Sequence, residues 1–258
     1  MIQFNNLTFA YKGNTDTVIF NEFTGELETN SISVILGSSG TGKTTLFKLI
    51  CNQLKPNKDG QILINNMPPA QAIKHRHLAY LPQSFEPAHW LTVKENISLM
   101  QQFNGIRSQR RTANTSQIIK DLKLNDLENR KPHELSGGQQ RRVSLAMLLS
   151  TEAKIFLLDE PLVNLDTQHK YEVYNFLLND WRARTNSDSS KTTFLITHDL
   201  DEAVLLGEKI HILKGSTPHK EFITKNNPID VQRRTNDLEK LRYENDFKVF
   251  VEEIKNNL

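Results

Sequence analysis

Gly37-Ser38-Ser39-Gly40-Thr41-Gly42-Lys43-Thr44 interrupts the chain between a β-branched run, Ser31 to Leu36, and a segment with Leu46, Leu49 and Ile50 at helical spacing. Few architectures accept a glycine-rich loop between a buried strand and a helix. The loop fits G-x-x-x-x-G-K-[ST] in full, and its flanks are the context that gives the pattern meaning. Glycines let the backbone curl so that successive N–H groups point inward at phosphate oxygens. The helix N-terminus adds partial positive charge. Lys43 is then placed to bridge β- and γ-phosphates, and Thr44 to ligate Mg²⁺, with Thr45 beside it. A glycine turn with a chance lysine would not require those flanks.

The composition excludes several classes. The chain has 258 residues, enough for one or two domains. Hydrophobic residues make up 37% and charged residues 24%, which is ordinary for a globular protein. Lys plus Arg is 32 against 30 acidic residues, so a net charge of +2 gives no reason to expect nucleic acid as a partner. One cysteine, Cys51, excludes an internal disulfide framework and a Cys-based zinc site. Apolar stretches such as Ile155 to Leu158 and Ser144 to Leu149 fall far short of the roughly 18 residues that span lipid. The N-terminus has no basic start and no apolar region of a signal peptide. A soluble, cytoplasmic chain is expected, with any membrane role exerted through a partner.

Periodicity places the elements. Strands are expected at 2–9, 19–27, 31–36, 60–64, 78–81, 155–158 and 193–197, and helices after Gly42, at 139–149, at 170–181 and at 202–206. Val93, Ile97 and Met100 open a helical block over about 84–150. Alternating β and α predicts a mostly parallel sheet covered by helices, with an antiparallel β part at the N-terminus and the helical block inserted as a subdomain. Arg184 to Lys191 is polar and expected to form a surface loop. The domain that carries the glycine loop is expected to end near 224. Residues 225–258 then form an extension, with Leu238, Leu241, Phe247, Phe250 and Ile254 at helical spacing. The sequence leaves open whether it packs or hangs free.

Lys154 to Pro161 (KIFLLDEP) supplies the other half of the site. An apolar strand delivers Asp159 and Glu160 at its C-terminal end, where ligands bind in open α/β sheets. Asp159 is expected to hold Mg²⁺, and Glu160 to polarise the attacking water as general base. An acidic helix cap is the plainer reading of the pair, weakened by the loop upstream.

Leu135-Ser136-Gly137-Gly138-Gln139 lies just before that strand. With the other motifs it makes residues 1–215 resemble the ATP-binding-cassette ATPases. The resemblance implies that Ser136, Gly137, Gly138 and Gln139 bind the γ-phosphate of ATP held by another copy. The residues agree, since they open a predicted helix and give a second anion-binding N-terminus. One chain offers one of each, so a head-to-tail homodimer with ATP between its copies is expected. The resemblance further assigns Tyr11 to adenine stacking, although a tyrosine ending a strand is also common. Gln83 would touch Mg²⁺ or the lytic water, Asp166 would couple the two sites or simply cap a helix, and His198 would sense the γ-phosphate. The other seven histidines carry no such context and read as surface or packing residues.

Membrane coupling is implied by the same likeness. The loop after Gln83, with Trp90 before Leu91-Thr92-Val93, resembles importers of the nitrate, sulfonate, taurine and thiamine-precursor branch, where a helix of a transmembrane permease docks. Trp90 is either an exposed anchor for that permease or part of the subdomain core. Met147 stands where the family commonly has arginine. The expected role is ATP hydrolysis that powers solute import at the inner face of the membrane, with a solute-binding protein as an indirect partner. An exporter or lipid-handling ATPase, or an ATP-gated clamp on nucleic acid or ribosomes, are the alternatives.

Overall fold

The strand that feeds the glycine loop, β3 (Ile32–Leu36), lies inside a six-stranded sheet and is buried along its whole length. The other strands are β5 (Leu78–Leu81), β6 (Ile155–Asp159), β7 (Thr192–Ile196), β8 (Lys209–Lys214) and β9 (Glu221–Asn226), in the order β5-β6-β7-β3-β8-β9. All pairings are parallel except β8 with β9. Strands β3, β6 and β7 are buried along their whole length because both faces of the sheet are covered, the usual condition of a parallel sheet. A second, antiparallel sheet holds β1 (Ile2–Ala10), β2 (Val18–Leu27) and β4 (Gln61–Ile64), ordered β2-β1-β4. The computed structural model describes residues 1–11, 18–57, 60–185, 191–215, 219–230, 233–234 and 238–258.

Helix α1 (Lys43–Ile50) fills the space between the two sheets. Its Leu46, Phe47 and Ile50 share one core with Phe4, Phe20 and Phe23 of the small sheet and with Leu157 and Phe194 of the large one. The short α2 (Pro69–Lys74) follows β4. The inserted block consists of α3 (Val93–Phe103), α4 (Ser108–Asp121) and α5 (Gly137–Leu149). Thr92 and Glu95 close a capping box at the start of α3, as Ser136 and Gln139 do at α5. The second box starts α5 at Gly137 rather than at Gln139, where apolar spacing alone puts it.

Helices α6 (Thr167–Thr185) and α7 (Leu200–Leu206) cover the far face of the sheet. Arg184 and Thr185, expected to open a loop, close α6 instead; residues 186–190 lie outside the described residues. The tail forms α8 (Leu238–Leu241) and α9 (Asn245–Lys255). It packs: Phe247, Phe250 and Ile254 are buried in the same core as α7, and Arg242 pairs with Asp201 on α7 and with the Tyr171 hydroxyl on α6. Strands β8 and β9 escape the periodicity reading. Lys209, His211 and Lys214 break the apolar run of β8, and β9 is a half-exposed edge. No described helix is long and apolar enough to cross a membrane.

Candidate functional site

The loop between β3 and α1 needs its glycines. Gly40 (φ 79°) and Gly42 (φ 98°) lie in the left-handed region. A Cβ on Gly42 would also sit 2.6 Å from Ile19 Cγ2, and one on Gly37 would sit 2.8 Å from the Leu213 carbonyl. The Lys43 ammonium donates to the carbonyls of Gly37 (2.8 Å) and Ser38 (2.9 Å), which folds it over the loop. The Thr41 hydroxyl donates to the Ser38 carbonyl at 2.8 Å. Partial burial lowers the pKa of Lys43, while the charges of Glu160 and Asp159 oppose the drop. Lys220, just before β9, donates to the Thr41 carbonyl and lies 5.6 Å over the Phe20 ring.

Asp159 closes β6 and is 1% exposed. Burial raises its pKa, and hydrogen bonds from Thr44 and Tyr80 partly offset the rise. The Tyr80 hydroxyl lies 3.4 Å from Oδ2. The described residues contain no cluster of three or more metal-ligating side chains. A buried carboxylate beside a threonine hydroxyl still suits Mg²⁺, which binds through one or two protein oxygens when phosphates and water complete its shell.

Glu160 has φ 47°, an unusual value for a residue with a side chain. Its Oε2 accepts from Gln83 Nε2 at 2.9 Å, and its Oε1 lies 3.4 Å from His198 Nδ1. The end of β5 thus supplies Gln83, β6 supplies Glu160, and β7 supplies His198, all at the C-terminal edge of one parallel sheet. These three, Tyr11 and the loop residues other than Ser38 and Thr41 line a single cavity of 500 Å³, and Asp159 is not among its lining residues. Tyr11 is 42% exposed at its rim; its hydroxyl lies 3.1 Å from Thr45 Oγ1, and its ring stands edge-on to Phe9.

Two groups of expected site residues lie elsewhere. None of Ser136 to Gln139 lines that cavity. Ser136 and Gly137 are exposed, and a Cβ on Gly137 would meet no atom within 4 Å. Asp166 is also outside the cavity and caps α6: its carboxylate accepts from the His169 amide at 3.0 Å and meets His169 Nδ1 at 2.6 Å. Tyr80, Lys220 and Arg141 also meet the site, and no motif in the sequence marks them.

A second cavity, of 470 Å³, lies on the inserted helices. Phe85, Trp90, Met100, Phe103 and Met147 line it. Trp90 is 73% exposed and Phe103 70% exposed, so Trp90 stands outside the core.

Residues 20–163 match the family model described as ABC transporter. The chain is 32% identical over 199 residues to a taurine import ATP-binding protein of Jannaschia sp. (strain CCS1), covering 76% of this chain and 71% of the relative. It is 30% identical over 188 residues to a sulfate/thiosulfate import ATP-binding protein of Thermosynechococcus vestitus, covering 73% of this chain and 54% of that one. It is also similar to the dimeric structure of an ATP-binding cassette in a post-hydrolysis state bound to ADP and Pi. That likeness has a TM-score of 0.72 at 27% identity and covers 86% of this chain and 98% of the other.

Proposed function

The chain belongs to the ABC transporter family and is one of its ATP-binding, ATP-hydrolysing subunits; from that premise we propose that two copies close head to tail over two ATP molecules to drive solute import through a permease. One observation carries the reading. The chain holds a phosphate cavity and an exposed Ser136-capped helix N-terminus that does not line it. Each copy then lacks what the other presents.

In this scheme the loop amides and Lys43 bind the β- and γ-phosphates, and Tyr11 stacks on the base. Thr44, Asp159 and Gln83 would hold Mg²⁺, which supplies charge neutralisation at the phosphates when bound. Glu160 accepts the proton of the attacking water, while Gln83 and His198 keep its carboxylate oriented. Ser136 and the amides of Gly137 and Gly138 from the other copy stabilise charge on the transferred phosphoryl. Asp166 links one site to the other from the start of α6.

The groove beside Trp90 and Phe103 suits an apolar helix of a transmembrane permease, which would place the chain at the inner face of the membrane. A solute of the taurine or sulfate kind is favoured by the import roles of these relatives. A solute-binding protein would deliver it. Size exclusion of Glu160→Gln with ATP tests the scheme. An ATP-dependent dimer with turnover reduced at least about 100-fold is expected. A variant that stays monomeric in ATP and turns over normally is incompatible with it.

A further inference from the structure

Arg141 stands on α5 just past the Ser136 cap and is 8% exposed. A guanidinium carries five N–H groups in one plane, and all five are engaged. Nε donates to the Pro161 carbonyl (2.9 Å). Nη1 donates to the carbonyls of Pro82 (3.1 Å) and Gln83 (3.1 Å), and Nη2 to those of Asp159 (2.9 Å) and Glu160 (2.9 Å). None of these acceptors is a carboxylate. Burying a cation is costly, and an apolar side chain of similar size would fill the space without that cost. Packing alone therefore does not account for an arginine here.

The carbonyls it gathers do. They belong to the two segments that carry the water-handling groups, Pro82–Gln83 after β5 and Asp159–Pro161 at the end of β6. Glu160 sits at φ 47°, and such a conformation persists only where its surroundings over-determine it. Both peptide planes around Glu160 are held. Arg141 takes the Asp159 carbonyl while the Ile196 carbonyl takes the Glu160 amide at 3.0 Å. Arg141 also takes the Glu160 carbonyl on the other side.

We propose that Arg141 is the positioning residue of the catalytic pair, fixing the backbones of Glu160 and Gln83 to each other and to the helix that opens with Ser136. The proposal rests on the reading of Glu160 as the base. It ties the two ends of the chemistry: a shift of α5 as its N-terminus engages a second copy's nucleotide moves the support of this copy's own Glu160.

The test measures ATP turnover, MgATP affinity and melting for the full chain carrying Glu160→Gln, Arg141→Lys or both. Lysine keeps the charge but replaces a planar fork with a point donor. Arg141→Lys is expected to lower kcat about 10- to 100-fold with KM and MgATP affinity within about twofold of the parent. Adding Glu160→Gln to it is expected to lower kcat far less than the same change does in the parent chain, because both act on one group. Independent effects, or a normal kcat in folded Arg141→Lys, overturn the proposal and leave the base reading standing. A normal kcat in Glu160→Gln overturns the base reading instead. If Arg141→Lys does not fold, nitrogen NMR of the parent chain decides. Separate, slowly exchanging Nη signals from Arg141 are expected, and averaged, fast-exchanging signals overturn the proposal.

Discussion

Gln83 donates its side-chain amide to the Glu160 carboxylate at 2.9 Å, from the end of the neighbouring strand. The contact fixes one carboxylate oxygen, and the other lies 3.4 Å from His198 Nδ1. Gln83→Ala frees the carboxylate to rotate. Turnover is expected to fall about tenfold with nucleotide affinity changed much less, since orientation and not charge is lost. Steady-state ATPase kinetics beside nucleotide titration checks this.

Gly42→Ala strains the loop twice, through φ 98° and through a Cβ 2.6 Å from Ile19. The left-handed backbone alone costs about 1 kcal/mol for alanine. Nucleotide affinity is expected to fall by at least about tenfold, measured by fluorescent-nucleotide titration, with a small drop in melting temperature.

Trp90→Ala removes an anchor rather than a core residue, given its 73% exposure. If the groove seats the permease, the complex weakens by about 2 kcal/mol, roughly 30-fold. Co-purification with the co-expressed permease is expected to drop sharply while the melting temperature of the isolated subunit stays unchanged.

Glu202 is buried on α7, accepts from Thr197 Oγ1 at 3.1 Å, and has its pKa raised from 4.5 to about 7, chiefly by burial and next by Asp199. A raised acid pKa means that the folded chain holds this proton where the unfolded chain has released it. Stability from this group therefore falls as pH rises from about 4.5 to about 7, and the loss is complete above 7. Glu202→Gln removes the dependence. The difference in unfolding free energy between variant and parent is expected to grow across that window by about 3 kcal/mol. A flat difference from pH 4.5 to 8 excludes it.

The motifs were legible because each is local. The loop at 37–44, the Asp159–Glu160 pair and the LSGGQ run each carry their chemistry in consecutive residues. Sequence could not say that Tyr80 reaches Asp159, because that depends on β5 lying beside β6. Nor could it give Arg141 its five acceptors, which come from two strand ends brought together by the same pairing. Trp90 stayed open between core and surface, since an aromatic residue in a helical block suits either. The tail was undecidable for a related reason: its apolar stripe fits α7, but a stripe does not name its partner.

The antiparallel edge strand β9 shapes how the protein tolerates shortening. Lys225 and Asn226 complete its ladder with Ile210 and Lys209, and Lys220 just ahead of it reaches the glycine loop. A cut between 224 and 225 removes the last two pairings of that ladder and leaves Lys209 and Ile210 at the start of β8 unpaired on that side. Trimming therefore spares the Lys220 contact with the glycine loop but exposes two backbone positions of β8, so the start of the tail serves as cover for the rim of the sheet.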